Sequence, residues 1–299
     1  MTKPDEFSLT YRVYFCLYER YDMIELKNIN KTFKVSRRNA GFREAAKSFF
    51  HKEYEQMQYK TSFILTAVGQ FLVSFSVFIG IYFMFMRFNS VEGFKFSEVL
   101  ICFSVLLTSF SVAECFFRGF DTFGGIISNG EFDRIMVRPR NEILQVLGSK
   151  IEFTRIGRFL QAIIVFAYAI PNSGIVWTAD KIITLCLMIT GGTFLFAGLF
   201  IIYAGICFFT IEGLEFMNIF TDGGKEFGKY PLSIYGEGIL KFFTFIIPLA
   251  LIQYYPLLYL LGRTTNPLYM MLPLSGIIFL LPSYIFWRFG VRHYKSTGS

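Results

Sequence analysis

Histidine is nearly missing from this chain: His51 and His293 are the only two in 299 residues. With so few imidazoles and no H-E-x-x-H run, zinc-assisted hydrolysis has no ligand set, and the absence of G-x-S-x-G removes the corresponding serine hydrolases. An acid-only or lipid-transfer chemistry stays open. Of the five cysteines, Cys102, Cys115, Cys186 and Cys207 fall inside apolar stretches and Cys16 in a charged arm, which excludes a disulfide framework and any metal-ligand spacing. Also missing is G-x-x-x-x-G-K-[ST], the backbone cradle for nucleotide phosphates. Its nearest approach, Gly223-Gly-Lys225-Glu226, lacks the earlier glycine and the hydroxyl, so the chain is expected neither to bind nor to cleave ATP by itself. The first 22 residues are mixed and charged and do not read as a cleavable signal, which leaves the first apolar stretch as the expected insertion signal.

Apolar length is what the chain has in plenty: 54% of residues are hydrophobic and 19% aromatic, with a mean hydropathy of +0.47. Six stretches qualify as membrane spans: Thr61 to Met86, Val99 to Phe117, Phe159 to Trp177, Ile182 to Thr210, Phe242 to Leu261 and Tyr269 to Trp287. A hydrocarbon core of about 30 Å requires roughly 20 helical residues, which each supplies, although Pro171 is expected to break the third. The expected fold is an all-α membrane protein of six transmembrane helices. Assigning cations to connections places 12 before Thr61, 7 between spans two and three, 3 between spans four and five and 3 after the last span, or 25 of the 29 Lys and Arg. Arg87, Lys95, Lys181 and Arg263 occupy the other side. Basic connections stay in the cytoplasm, so both termini are expected there. The same topology accounts for the net charge of +7 without invoking nucleic acid.

Residues Gly41 to Lys60 carry Phe42, Ala45, Ala46, Phe49, Phe50 and Met57 on one helical face, which fits either the headgroup layer or a soluble partner. At the end of span two, Glu114 and Arg118 are four residues apart and pair on one helix face, a structural arrangement at the membrane lip in preference to a transport site. Gln70, Gln161 and Gln253 are the strongly hydrogen-bonding groups inside spans, to be read as interhelical ties or as part of a solute path. Gly191, Gly192, Gly198 and Gly205 let another helix approach span four, while Pro248, Pro256 and Pro282 favour kinks in the last two.

Two segments carry a family resemblance. Between spans two and three runs Gly130-Glu131-Phe132-Asp133-Arg134, followed by Arg138-Pro139-Arg140-Asn141. Between spans four and five runs Lys229-Tyr230-Pro231-Leu-Ser233-Ile-Tyr235, continued by Ile247-Pro248, Tyr254-Tyr255-Pro256 and Leu260-Leu-Gly-Arg263. Over about residues 57 to 295 the chain resembles the permease of a type-2 ATP-binding cassette (ABC) exporter, of the bacterial viologen-exporter-like group. The resemblance implies six helices per subunit, a second permease subunit (the same chain or a different one), an ABC ATPase that carries ATP and Mg, and export of a hydrophobic or cationic small molecule across the inner membrane. It also implies a cytoplasmic coupling element within residues 120–150, for which Gly130, Glu131, Asp133, Arg134, Arg138 and Pro139 are the candidates. Its bland alternative is an ordinary basic loop meeting anionic lipid.

The arm of residues 1–60 exceeds the brief lead of such permeases. Residues 23–54 are similar to the opening of the companion ATPase, with Phe33 where that protein sets an aromatic ring against adenine, and read either as a fragment of ATPase sequence joined to a permease domain of residues 61–295 or as a basic arm that settles on the membrane. An ATPase-independent secondary transporter or channel is the competing function. It is expected to place titratable groups deep in the membrane, where this chain offers mainly Glu114.

Overall fold

The computed structural model describes residues 60–210 and 217–296. The expected interfacial helix and the ATPase-like stretch lie outside the described residues. Among those described there is no strand, only a single bridge between Val91 and Phe94.

Helix α1 (Lys60–Arg87) is followed by α2 (Phe96–Asp121). The turn between them is closed by Lys95, whose backbone N–H donates to Glu98 Oε2 at 3.0 Å. Arg263 pairs with the same carboxylate at 2.7 Å and lies over the Phe94 ring, tying the connection after the fifth span to this end of the bundle. Short helices α3 (Phe123–Ser128), α4 (Glu131–Val137) and α5 (Glu142–Leu147) lead to α6 (Ile156–Asn172) and α7 (Ala179–Thr210). After it come α8 (Gly224–Phe227), α9 (Glu237–Phe245), α10 (Leu249–Ile252), α11 (Tyr254–Leu260), α12 (Leu268–Met271) and α13 (Leu274–His293).

Among the described residues five helices are long and apolar enough to cross a membrane, or six if the bent pair α9 and α10–α11 counts as one span. Burial separates their roles: 83% of the apolar window of α2 is covered by the rest of the chain, against 11% for α1 and 22% for α13. Helix α2 is therefore the axis of the bundle, and the bare apolar flanks of α1 and α13 suit hydrocarbon. Helix α13 lies along α7, as the small residues of span four lead one to expect. A Cβ added to Gly276 would fall 2.0 Å from the Gly191 carbonyl oxygen, so the two backbones touch where neither has a side chain. Gly192 faces Ser109 of α2 instead.

Two readings of the sequence need correction, and a third is borne out. Pro171 does not break the third span, because it falls in the last turn of α6, one residue before the end. That helix begins at Ile156 and stops short of Trp177. The fifth span is bent where the prolines lead one to expect: α9 meets α10–α11 at 86°, with Pro248, which has no N–H to donate, at the corner. Finally, Lys225 and Lys229 do not lie in a plain aqueous connection. Residues 225–228 lie against α2, with Lys225 Nζ 4.6 Å from the centre of the Phe110 ring.

Candidate functional site

Between α2 and α6 the chain builds a compact knob. Gly130 takes a left-handed backbone (φ +66°) that a side chain would strain, and this turn starts α4. Glu131 and Asp133 in the first turn of α4 complement its positive end. The helix stops at Arg138, whose extended ψ of 136° is what a following proline imposes. Asn141 then caps α5 by accepting from the Ile143 N–H at 3.0 Å. The Gln145 amide donates to the carbonyls of Ile135 (3.1 Å) and Arg140 (3.2 Å), holding α4 and α5 as one unit.

Phe132 seats the knob on the bundle. It is fully buried, with ring centres 5.1–5.3 Å from Phe123 and Tyr294 and 5.0 Å from Phe208, and Trp287 lies just beyond. Phe208 belongs to α7 and Trp287 to α13, so one ring of α4 meets both helices that close through glycine contacts. Two polar ties support it: Ser296 Oγ donates to Asp133 Oδ2 at 2.7 Å, and Arg288 pairs with Glu142. Of the residues read as a coupling element, Glu131, Arg134, Arg138 and Pro139 are exposed, Asp133 is half-buried and Gly130 is buried. Val137, 85% exposed, and Met136 add an apolar tip that charge-based reading overlooks. Phe132 was legible only as an aromatic residue alone between two acids.

One helical turn into the bundle stands a buried ion network. Glu114 and Arg118 are in contact at 3.5 Å, yet the closer partners of Glu114 come from the start of the third span: Arg158 at 2.6 Å and Arg155 at 3.3 Å. Arg118 in turn pairs with Asp121 and, at 3.0 Å, with Glu152, which also meets Arg155 at 3.2 Å. Three carboxylates and three guanidiniums thus close to zero charge, which is what makes their burial tolerable. Burial raises the pKa of Glu152, but Arg155, Arg118 and Lys150 together outweigh it and hold the carboxyl below its ordinary value. The signal missed in the sequence is Glu152, Arg155 and Arg158 at steps of three, matching Glu114 and Arg118 across the helix pair.

The three glutamines part company. Gln253 is buried where α10 meets α11, and its amide donates to the Gly228 carbonyl and to Cys102 Sγ (2.6 Å), joining three chain segments. Gln161, 1% exposed on α6, has no hydrogen-bond partner for either amide atom among the described residues. Gln70 on α1 is half-buried, with Oε1 likewise unpartnered. Among the described residues no cluster of His, Cys, Asp and Glu has the geometry to hold a metal ion.

A family model described as ABC-2 family transporter protein matches residues 71–298. No curated protein matches the chain, and no solved structure does.

Proposed function

The chain belongs to the ABC-2 transporter family and is a multi-pass permease component of an ABC transporter; from that premise we propose that the α4–α5 knob is the element on which a separate ATPase pushes. The observation that carries this reading is the seating of a rigid, exposed helix on a single buried ring. Glu131, Arg134, Val137 and Arg138 face outward, while Phe132 reaches α7 and α13 from the other side. A partner that moves α4 by a few ångströms displaces a close-packed aromatic cluster, and such clusters switch between discrete packings more readily than they deform. The ion network would hold α2 to the start of α6, so that both ends of the knob move with the membrane helices.

In this reading the end of the bundle bearing Arg118, Arg155 and Arg158 is cytoplasmic, as are both termini. Nucleotide and magnesium reside on the ATPase, a second permease subunit completes the channel, and the cargo is a hydrophobic or cationic small molecule exported across the inner membrane. The exposed arginines of the knob, the family and the aromatic interior support these assignments. Two variants test it by different readouts. Arg134→Glu with Arg138→Glu reverses the exposed charge and should reduce co-purification of the ATPase by about tenfold or more. Phe132→Ala should leave the ATPase bound while removing the effect of ATP on the conformation of α13. Unchanged co-purification in the first, together with an unchanged nucleotide response in the second, would refute the assignment.

A further inference from the structure

Residues 219–235, ahead of the bent fifth span, enter the bundle, and we propose that their charged face is the wall of a water-filled cleft along the transport route. The proposal rests on the permease reading, but it concerns a different part of the chain from the knob.

Depth comes first. Helix α2 serves as a ruler, since its residues rise about 1.5 Å each. Lys225 sits on the Phe110 ring, eight residues or about 12 Å into the bundle from Arg118. The Gly228 carbonyl accepts from Cys102 Sγ at 3.8 Å and from Gln253, sixteen residues or about 24 Å from Arg118. A Cβ on Gly228 would fall 2.8 Å from the Leu106 side chain, so the backbone itself lies against α2. Against a hydrocarbon thickness of about 30 Å, the segment runs from Asp222, close to Asp121 and Arg158 at the charged end of the bundle, to Gly228 well inside it, deeper than a surface loop reaches.

Its composition is wrong for lipid. The backbone is irregular: a π-helical turn at Ile219–Gly223, four residues of α-helix, then a 3₁₀ turn at Leu232–Tyr235. Four ionised side chains occur within eight residues, paired as Lys225 with Asp222 (2.6 Å) and Lys229 with Glu226. The pairs are oriented alike: the lysine side chains are 13% and 7% exposed, the carboxylates 61% and 58%. Each lysine lies inward against protein, and each carboxylate looks out. Glu237 and Lys241 on α9 continue the polar surface with a further exposed pair at 3.0 Å.

Irregular backbone at membrane depth persists only where protein buries it or water reaches it, and an outward carboxylate in hydrocarbon would be heavily penalised. Within this chain the carboxylates of Asp222 and Glu226 stay more than half exposed, and in this reading water solvates them. The lysines cancel the negative charge from behind, which lets the wall stay hydrated without strongly attracting or repelling solute of either sign.

The test is accessibility of the full chain in lipid nanodiscs, read by peptide-resolved mass spectrometry so that the native cysteines can stay. Asp222→Cys and Glu226→Cys are treated with a membrane-impermeant maleimide beside Leu72→Cys on the exposed apolar flank of α1 and Val137→Cys on the knob. Because maleimide reacts with the hydrated thiolate, both cleft positions should react within about threefold of Val137→Cys and about a hundredfold faster than Leu72→Cys. Rates as slow as Leu72→Cys overturn the proposal, whether lipid or a second copy of the chain covers the face. If either variant does not fold, the native protein supplies the answer through a water-soluble carbodiimide, which should modify Asp222 and Glu226 and spare Glu114. Sparing of all three overturns it equally. Neither readout involves an ATPase, so loss of the knob assignment and loss of the cleft are separate results.

Discussion

Replacing Glu114 with glutamine should expose how far the bundle depends on its buried charges. The carboxylate is 7% exposed and touches Arg158, Arg155 and Arg118. Glu114→Gln keeps the shape but leaves three guanidiniums facing two carboxylates, an uncompensated charge in a site with little water. Removing one partner of a buried pair costs about 3–5 kcal/mol. Arg158→Met should cost a similar amount by the opposite imbalance. The double variant restores neutrality, so its loss should fall short of the sum by about 2 kcal/mol or more. The assay is thermal unfolding in detergent followed by tryptophan fluorescence, for which Trp287, fully buried in the aromatic cluster, is a suitable reporter. At about 2–4 °C per kcal/mol for a domain of this size, each single change should lower the midpoint by on the order of 10 °C. Midpoints within about a degree of the native protein, or a double variant that is simply additive, would refute the idea that these six side chains act as one neutral unit.

Two further outcomes follow from the packing and from the network's edge. Gly276→Leu forces a side chain into a gap where the first added carbon already lies 2.0 Å from a backbone oxygen, so α13 must separate from α7. Overpacking of this kind costs about 1–3 kcal/mol or more, and a cysteine pair placed across the two helices should lose cross-linking in that background. Undiminished cross-linking would contradict the contact. Glu152 has a folded-state pKa held below its ordinary value of 4.5, so its stabilising contribution is present above that pH and is lost as pH falls through the depressed value. Glu152→Gln should therefore lower the midpoint at neutral pH and flatten its acid decline; an identical acid limb in both proteins would count against the ion pairs at Glu152.

Much of this architecture could be read in the chain order alone. Helices α1, α2, α7 and α13 stand close to the apolar runs that announce them, because in hydrocarbon a long apolar segment has hardly any option but helix. The knob was legible too: glycine before, proline after and acids in the first turn are local signals with local causes. What escaped were relations between distant residues. Arg158 meets Glu114 across 44 positions, and no spacing rule within one helix gives that partner. The inward course of residues 219–235 was hidden for a different reason. Assigning cations to loops by order along the chain treats every charge between two spans as aqueous, yet Lys225 and Lys229 each follow an acid by three residues and enter the bundle as neutral pairs. That repeated acid–base step was visible in the sequence and carried the information that the count discarded.

The central claim, that a permease without a phosphate-binding loop takes its force at the α4–α5 knob, is tested most directly by photo-cross-linking from Val137 in native membranes. A benzophenone side chain introduced there, at the exposed apolar tip of the knob, should attach to an ABC ATPase identified by mass spectrometry, with a yield that changes when ATP is added. Adducts with lipid alone, or a transporter that works with Val137 cross-linked to no ATPase at all, would contradict it.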